Sequence, residues 1–165
     1  MPYTRPEPLT STHVLAGFQC QHASLSDWLL KRALANQSSL ASKTFVVTDG
    51  ERVVGFYALA SGSVALERVP GPIRRNMPAP VPAIVLARLA VDERHQRRSL
   101  GRGLLKDATL RAIVAAETVA ARVLLCHAID EAAKAFYIQN GFVASPVDPL
   151  MAMLDLKIAR VIAAR

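Results

Sequence analysis

"AIVLARLAVDERHQRRSLGRGLLKDA", residues 83–108, passes from an apolar run through a basic turn into a helical pattern. The run over 83–92 carries one conspicuous charge, Arg88, and reads as a mostly buried strand. From about Gly101 a helix follows, with Leu104, Leu105, Ala108, Ala112, Ala115 and Val119 on one side. Between them, residues 96–103 pack three arginines, one serine and two glycines into eight positions. Such a turn lies where the unpaired amides of a first helical turn point outward with partial positive charge, which suits a phosphate or pyrophosphate. Gly101 and Gly103 let a ligand approach the backbone, and Arg97, Arg98 and Arg102 add charge around it. The spacing is neither a Walker loop nor the glycine triplet of a dinucleotide fold. On spacing alone a solvated basic turn fits as well as a phosphate site.

Working outward, "SLSDWLLKRALA" over 24–35 places Leu25, Trp28, Leu29 and Ala33 at helical spacing behind Ser24, with Lys31 and Arg32 late in the element. "TFVVTDGERVVGFYALA" gives two β-rich runs, 44–48 and 52–60, joined by Asp49-Gly50, the signal of a tight hairpin. Five of the ten prolines fall in 70–82, which predicts a loop there, ordered or mobile. A third buried strand is expected at 122–128, so strand, helix and strand imply a parallel crossover. "DEAAKAFYIQNG" reads as a helix capped by Asp130 and stopped by Gly141, and "LMAMLDLKI" reads as a last strand.

A chain of 165 residues fits one domain, here 1–165, with a single core. Charges interrupt every apolar run before the roughly 18 residues that suggest a membrane span. The N-terminus lacks an apolar stretch of signal-peptide length, and the two cysteines, Cys20 and Cys126, form no metal or redox spacing. A cytoplasmic protein with reduced thiols is expected. Twenty Lys and Arg against thirteen Asp and Glu give a net charge of +7, which favours a polyanionic partner.

"LARLAVDERHQRRSLGRGLL" followed by "AKAFYIQNGF" resembles the GNAT acetyltransferase superfamily, whose acetyl-CoA loop has the form Arg/Gln-x-x-Gly-x-Gly/Ala. With "LSDWLLKRALANQ", "TFVV" and "VVGFYALA" earlier in the same order, nearly the whole chain resembles the acetyltransferase toxins of bacterial toxin–antitoxin pairs. The resemblance implies an α/β fold with a mixed, splayed sheet flanked by helices. It implies transfer of acetyl from acetyl-CoA to the amino acid carried on a tRNA.

Residue by residue, Gln96, Ser99 and Gly101 fall on the motif positions, so the cofactor loop is assigned to Gln96, Arg97, Arg98, Ser99, Leu100, Gly101, Arg102 and Gly103. Ser99 stands where the pattern usually has glycine, which serine tolerates only at a negative backbone φ. Phe136 is assigned to the cofactor as well. Backbone amides of Leu89, Ala90 and Val91 would polarise the thioester carbonyl. Tyr137 is placed beside the departing sulfur, where a phenol donates a proton to the thiolate. From the residues alone, a Tyr next to Phe136 on an amphipathic helix is ordinarily core. Lys43, Arg68, Arg74, Arg75 and Arg88 are the groups assigned to an aminoacyl-tRNA. The resemblance also implies an antitoxin of the ribbon-helix-helix type and allows a homodimer.

Rival chemistries have less support. Cys126 and His127 are adjacent and face opposite sides of a strand, so they form no nucleophile–base pair; Cys126 is expected in the core and His127 is expected to be structural. Cys20 and His22 lack the second pair a metal site needs, and no metal is expected. Asp92 and Glu93 read as strand-end acids that are solvated or cap a turn. Two other functions remain open: a GNAT enzyme for a small amine or a protein N-terminus, and a nucleic-acid-binding domain that grips backbone phosphate. With five Phe, three Tyr and one Trp and no aromatic-basic stripe, base stacking has little support.

Overall fold

The computed structural model describes residues 3–165, which fall into two compact units: residues up to 60 with 87–108, and 61–86 with 109–165. Among the described residues seven strands are hydrogen-bonded in the order β1 (Glu7–Pro8), β2 (Lys43–Asp49), β3 (Arg52–Val64), β4 (Val81–Val91), β5 (Val123–His127), β7 (Met151–Asp155), β6 (Val143–Ala144). Where one core is expected, each unit has a hydrophobic cluster of its own.

In the first unit, β2 (Lys43–Asp49) and β3 (Arg52–Val64) form the hairpin expected from Asp49-Gly50. Val46 stands opposite Phe56, and Gly50 turns the chain at φ +66°. The short β1 (Glu7–Pro8) pairs antiparallel with β2. Residues 53–58 of β3 are all buried, as in a strand covered on both faces. On one side Phe56 stacks on Trp28 at 6.0 Å and meets Phe18 edge-on at 5.6 Å. Trp28 and Leu29 come from α1 (Ala23–Lys31), whose buried positions have the helical spacing of the sequence. The helix expected over 24–35 is broken at Arg32, with ψ −29° at φ −124°, and resumes as α2 (Ala33–Ser38) so that Ala33 is buried.

In the second unit, residues 83–86 of β4 (Val81–Val91) pair parallel with β5 (Val123–His127), from Ala83↔Val123 to Leu86↔Cys126, while residues 87–91 of the strand belong to the first unit. The helix between them in sequence is α4 (Leu100–Thr118), so the parallel crossover is found. Leu104, Leu105, Ala108 and Ala112 of the expected apolar side are buried, but Ala115 and Val119 are exposed and Ile113 is buried instead. α4 ends at Thr118, so Val119 lies past its last turn. β7 (Met151–Asp155) lies antiparallel to β5, and β6 (Val143–Ala144) pairs with β7.

Two further expectations need correction. The proline-rich segment is not simply a loop: it holds α3 (Gly71–Arg74), and β4 begins at Val81. Pro70 caps α3 and Pro72 occupies its first turn, where the missing N–H costs nothing, while Ile73 anchors it at 4% exposure. The last strand stops at Asp155, whose carboxylate accepts from Lys157 N and starts α6 (Leu156–Ala163). Arg122 clamps the same carboxylate with bonds of 2.9 and 3.1 Å.

Candidate cofactor loop and tyrosine

The end of β4 is fixed by Asp92, fully buried, which caps the 3₁₀ turn Glu93–His95. Its carboxylate accepts from Arg94 N, from Arg94 Nε and Nη2, and from Gln19 N, at 2.9 to 3.1 Å. Burial alone pushes this carboxyl up, but the Arg94 and Gln19 hydrogen bonds outweigh it and hold the pKa at about 2. Asp92 therefore does structural work as a turn cap, buried rather than solvated, and Glu93 is exposed. Arg94 also donates to Gly17 O at 2.8 Å, tying the turn to the N-terminal segment.

Residues 96–99 then run exposed into α4. Arg97 and Ser99 have φ of +62° and +61°. The expectation of a negative φ at Ser99 is thus overturned. The chain needs a left-handed residue to turn from the 3₁₀ turn into the helix, and serine adopts it at a cost of about 1 to 2 kcal/mol. This is the conformation for which glycine is the unstrained choice. Ser99 O accepts from Gly103 N at 3.1 Å, so the Gly103 amide is used within the helix and the amides open to a ligand end before it. A Cβ on Gly103 would meet nothing within 4 Å, so its backbone lies beside open space. Arg98, exposed between the two left-handed residues, donates to the Tyr3 hydroxyl at 2.6 Å. Leu89 and Val91 are half-buried and Ala90 is buried; pairing with β5 ends at Leu86, five residues before β4 does.

Tyr137 lies on α5 (Glu131–Gln139), which Asp130 caps by accepting from Ala133 N at 2.8 Å. Gly141, at φ +96°, stops the helix, and Phe142 N returns to Tyr137 O. This brings Phe142 to 5.4 Å and Phe136 to 5.5 Å from the Tyr137 ring. Tyr137 is 7% exposed, and Phe136 is half-buried. Burial, and secondarily the neighbouring Cys126, push the phenol pKa well above its ordinary value, so the group is a fully protonated donor at neutral pH. Cys126 is buried and its thiol is pushed up to about 12 by the same desolvation, which leaves it no nucleophile; His127 is exposed on the other face.

Of the cations assigned to tRNA, Lys43 and Arg88 lie in the first unit, and Arg68, Arg74 and Arg75 in the second. Arg74 and Arg75 are exposed at the end of α3, and Lys43 is exposed at the start of β2. Arg68 pairs with Asp148 at 3.7 Å, and the Arg88 guanidinium stacks 4.4 Å over the Trp28 ring, so these two are already engaged. A cavity of about 270 Å³ lined by Ile113, Glu117, Leu156, Lys157 and Arg160 contains none of the assigned residues. Among the described residues no His, Cys, Asp and Glu cluster has metal-binding geometry, and no helix is long and apolar enough to cross a membrane. Sequence reading missed Tyr3 and Asp107, partners of Arg98 and Tyr57, because no local spacing signals a contact across such separations.

The chain belongs to the GNAT acetyltransferase family: the profile of the acetyltransferase (GNAT) domain matches residues 41–144. It is 49% identical over 158 residues to the tRNA-acetylating toxin of Mycobacterium tuberculosis, covering 96% of this chain and 95% of that one. Among solved structures it is similar to AtaT complexed with acetyl-methionyl-tRNAfMet, with TM-score 0.89, 21% identity and coverage of 98% of this chain and 99% of the other. It is also similar to a mutant of the toxin AtaT bound to the C-terminus of the antitoxin AtaR and acetyl-CoA, with TM-score 0.84, 20% identity and 100% coverage of both chains. The two likenesses to AtaT establish the fold.

Proposed function

We propose that this chain is the toxin of a toxin–antitoxin pair and that it acetylates the α-amino group of an aminoacyl-tRNA, blocking translation. The observation that carries this reading is the 49% identity, over nearly both full lengths, to a tRNA-acetylating toxin. Acetyl-CoA supplies an acetyl group on a thioester, a good acyl donor to a neutral amine. The first-turn amides of α4, residues 100–102, and the exposed guanidinium groups of Arg97, Arg98 and Arg102 suit its pyrophosphate by charge and by open space at Gly103. Backbone amides at Leu89, Ala90 and Val91 are the groups to polarise the acyl carbonyl. Gln96 and Phe136 complete the assigned cofactor contacts.

Tyr137 holds its proton at working pH and gives it to the sulfur as the carbon–sulfur bond breaks. The attacking amine needs little help: an α-amine titrates near 8, and the adjacent ester of an aminoacyl-tRNA lowers it further. No general base in the protein is required. Lys43, Arg74 and Arg75 are the exposed cations suited to acceptor-stem phosphates, with Arg68 and Arg88 available only by giving up present partners. The partner antitoxin is of the ribbon-helix-helix type, the chain acts as one GNAT domain over 1–165, it works in the cytoplasm, and a homodimer is compatible with this role.

The test is ionic. Each phosphate neutralised by Lys or Arg releases counterions, so transfer to charged tRNA falls steeply with added salt while transfer to a small free amine does not. The double variant Arg74→Glu, Arg75→Glu raises the KM for charged tRNA and flattens its salt slope with acetyl-CoA affinity intact. Equal rates on charged tRNA at low and high salt would instead favour a small-amine acetyltransferase.

A further inference from the structure

We infer that Tyr3 is a positioning residue for the cofactor loop: its phenol holds the Arg98 guanidinium in place for a phosphate of acetyl-CoA. The inference rests on the proposal that residues 96–103 bind the cofactor. Arg98 Nη1 donates to the Tyr3 hydroxyl at 2.6 Å, across 95 positions of sequence. The same hydroxyl lies 2.7 Å from His95 Nδ1, and the two rings meet edge-on at 5.6 Å. With His95 Nδ1 as acceptor, the phenol donates its O–H to the imidazole and accepts from the guanidinium on an oxygen lone pair. The three side chains then form one directed chain, Arg98 to Tyr3 to His95.

Tyr3 is itself fixed. It bridges to Asp49, and the next residue is tied to the sheet by Thr4 N to Thr48 O and Thr48 N to Thr4 Oγ1, each 3.0 Å. The anchor is therefore the end of β2, a rigid element, and it reaches a long exposed side chain that otherwise samples many rotamers. A guanidinium has five N–H donors, so one bond to Tyr3 leaves the others for an anion. Fixing the fork in advance removes an ordering cost from cofactor binding and does nothing for the acyl-transfer step. Tyr3 therefore acts on KM and not on kcat.

The variant Tyr3→Phe keeps the ring against His95 and deletes only the hydroxyl. The expected result is a rise in KM for acetyl-CoA of about threefold to tenfold with kcat unchanged. Acetyl-pantetheine, the same thioester without the nucleotide and pyrophosphate, should lose no affinity in calorimetry. A double-mutant cycle decides whether the effect runs through Arg98: Tyr3→Phe added to Arg98→Ala should weaken acetyl-CoA no further than Arg98→Ala alone. A lower melting temperature for Tyr3→Phe with unchanged KM, or additive losses in the cycle, would overturn the positioning role while leaving the loop assignment standing. Unchanged acetyl-CoA affinity in a folded Arg98→Ala would overturn both.

Discussion

Leu104 Cδ1 lies 3.0 Å from the point where a Cβ on Gly55 would stand, and Ala90 O lies 3.6 Å from it. This contact seats the first turns of α4 on β3, and Tyr57, two residues along the strand, donates to Asp107 on the same helix. The basic turn is therefore placed by packing at Gly55 and by a polar clasp one helical turn further on. Gly55→Val would overfill this space and should cost about 1 to 3 kcal/mol in urea unfolding, with Gly55→Ala much milder. Equal stability of the Val variant would mean that α4 is free to move off the strand.

Ser99 holds a left-handed backbone at φ +61°. Ser99→Gly removes the steric cost but gives the unfolded chain more freedom, so the net gain should be on the order of 0.5 to 1 kcal/mol. A rise in melting temperature with acetyl-CoA affinity at least retained is the expected outcome. Ser99→Val should lose both, because a β-branched side chain is poorly accommodated at this φ. A stabilised Val variant would contradict the strain.

Acid should loosen the turn that precedes the loop. The Asp92 carboxyl has its pKa lowered from 3.8 to about 2 in the fold, so its contribution to stability is complete above about pH 4 and is lost as pH falls through 2. The size is about 2 kcal/mol by linkage. Asp92→Asn should be less stable at pH 7 and should show a shallower fall in stability between pH 4 and 2, measured by urea unfolding across that range.

Tyr137→Phe should keep acetyl-CoA binding and lose on the order of a hundredfold or more in turnover. Burial raises the phenol pKa, so the proton is retained well past pH 9, and the rate should rise with pH through the α-amine and then level without a fall from Tyr137. Rapid-quench turnover near that of the parent would return Tyr137 to a packing role beside Phe142.

How much of this was legible in the sequence follows from the range of the forces involved. The Asp49-Gly50 hairpin, the Asp130 cap and the Gly141 stop depend on neighbours in the chain, and each stands where the sequence puts it. The break at Arg32 is set by the burial of Ala33 against the core, which no local pattern records. α6 was hidden in "LMAMLDLKI" because a strand and a helix share Asp155, the strand's last residue and the helix's cap. The basic turn was visible as a candidate from its glycines and arginines. The positive φ of Ser99 and the hold of Tyr3 on Arg98 depend on how the turn closes in space, and periodicity is blind to both.

We infer that this chain moves acetyl onto an amino acid carried by tRNA. The most direct measurement is to incubate it with labelled acetyl-CoA and total charged tRNA, then separate the aminoacyl species. Label is expected on the α-amino group of one or a few aminoacyl-tRNAs, with none on deacylated tRNA and loss of label with Tyr137→Phe. Label absent from every charged tRNA, with free amines or protein N-termini acetylated instead, would contradict it.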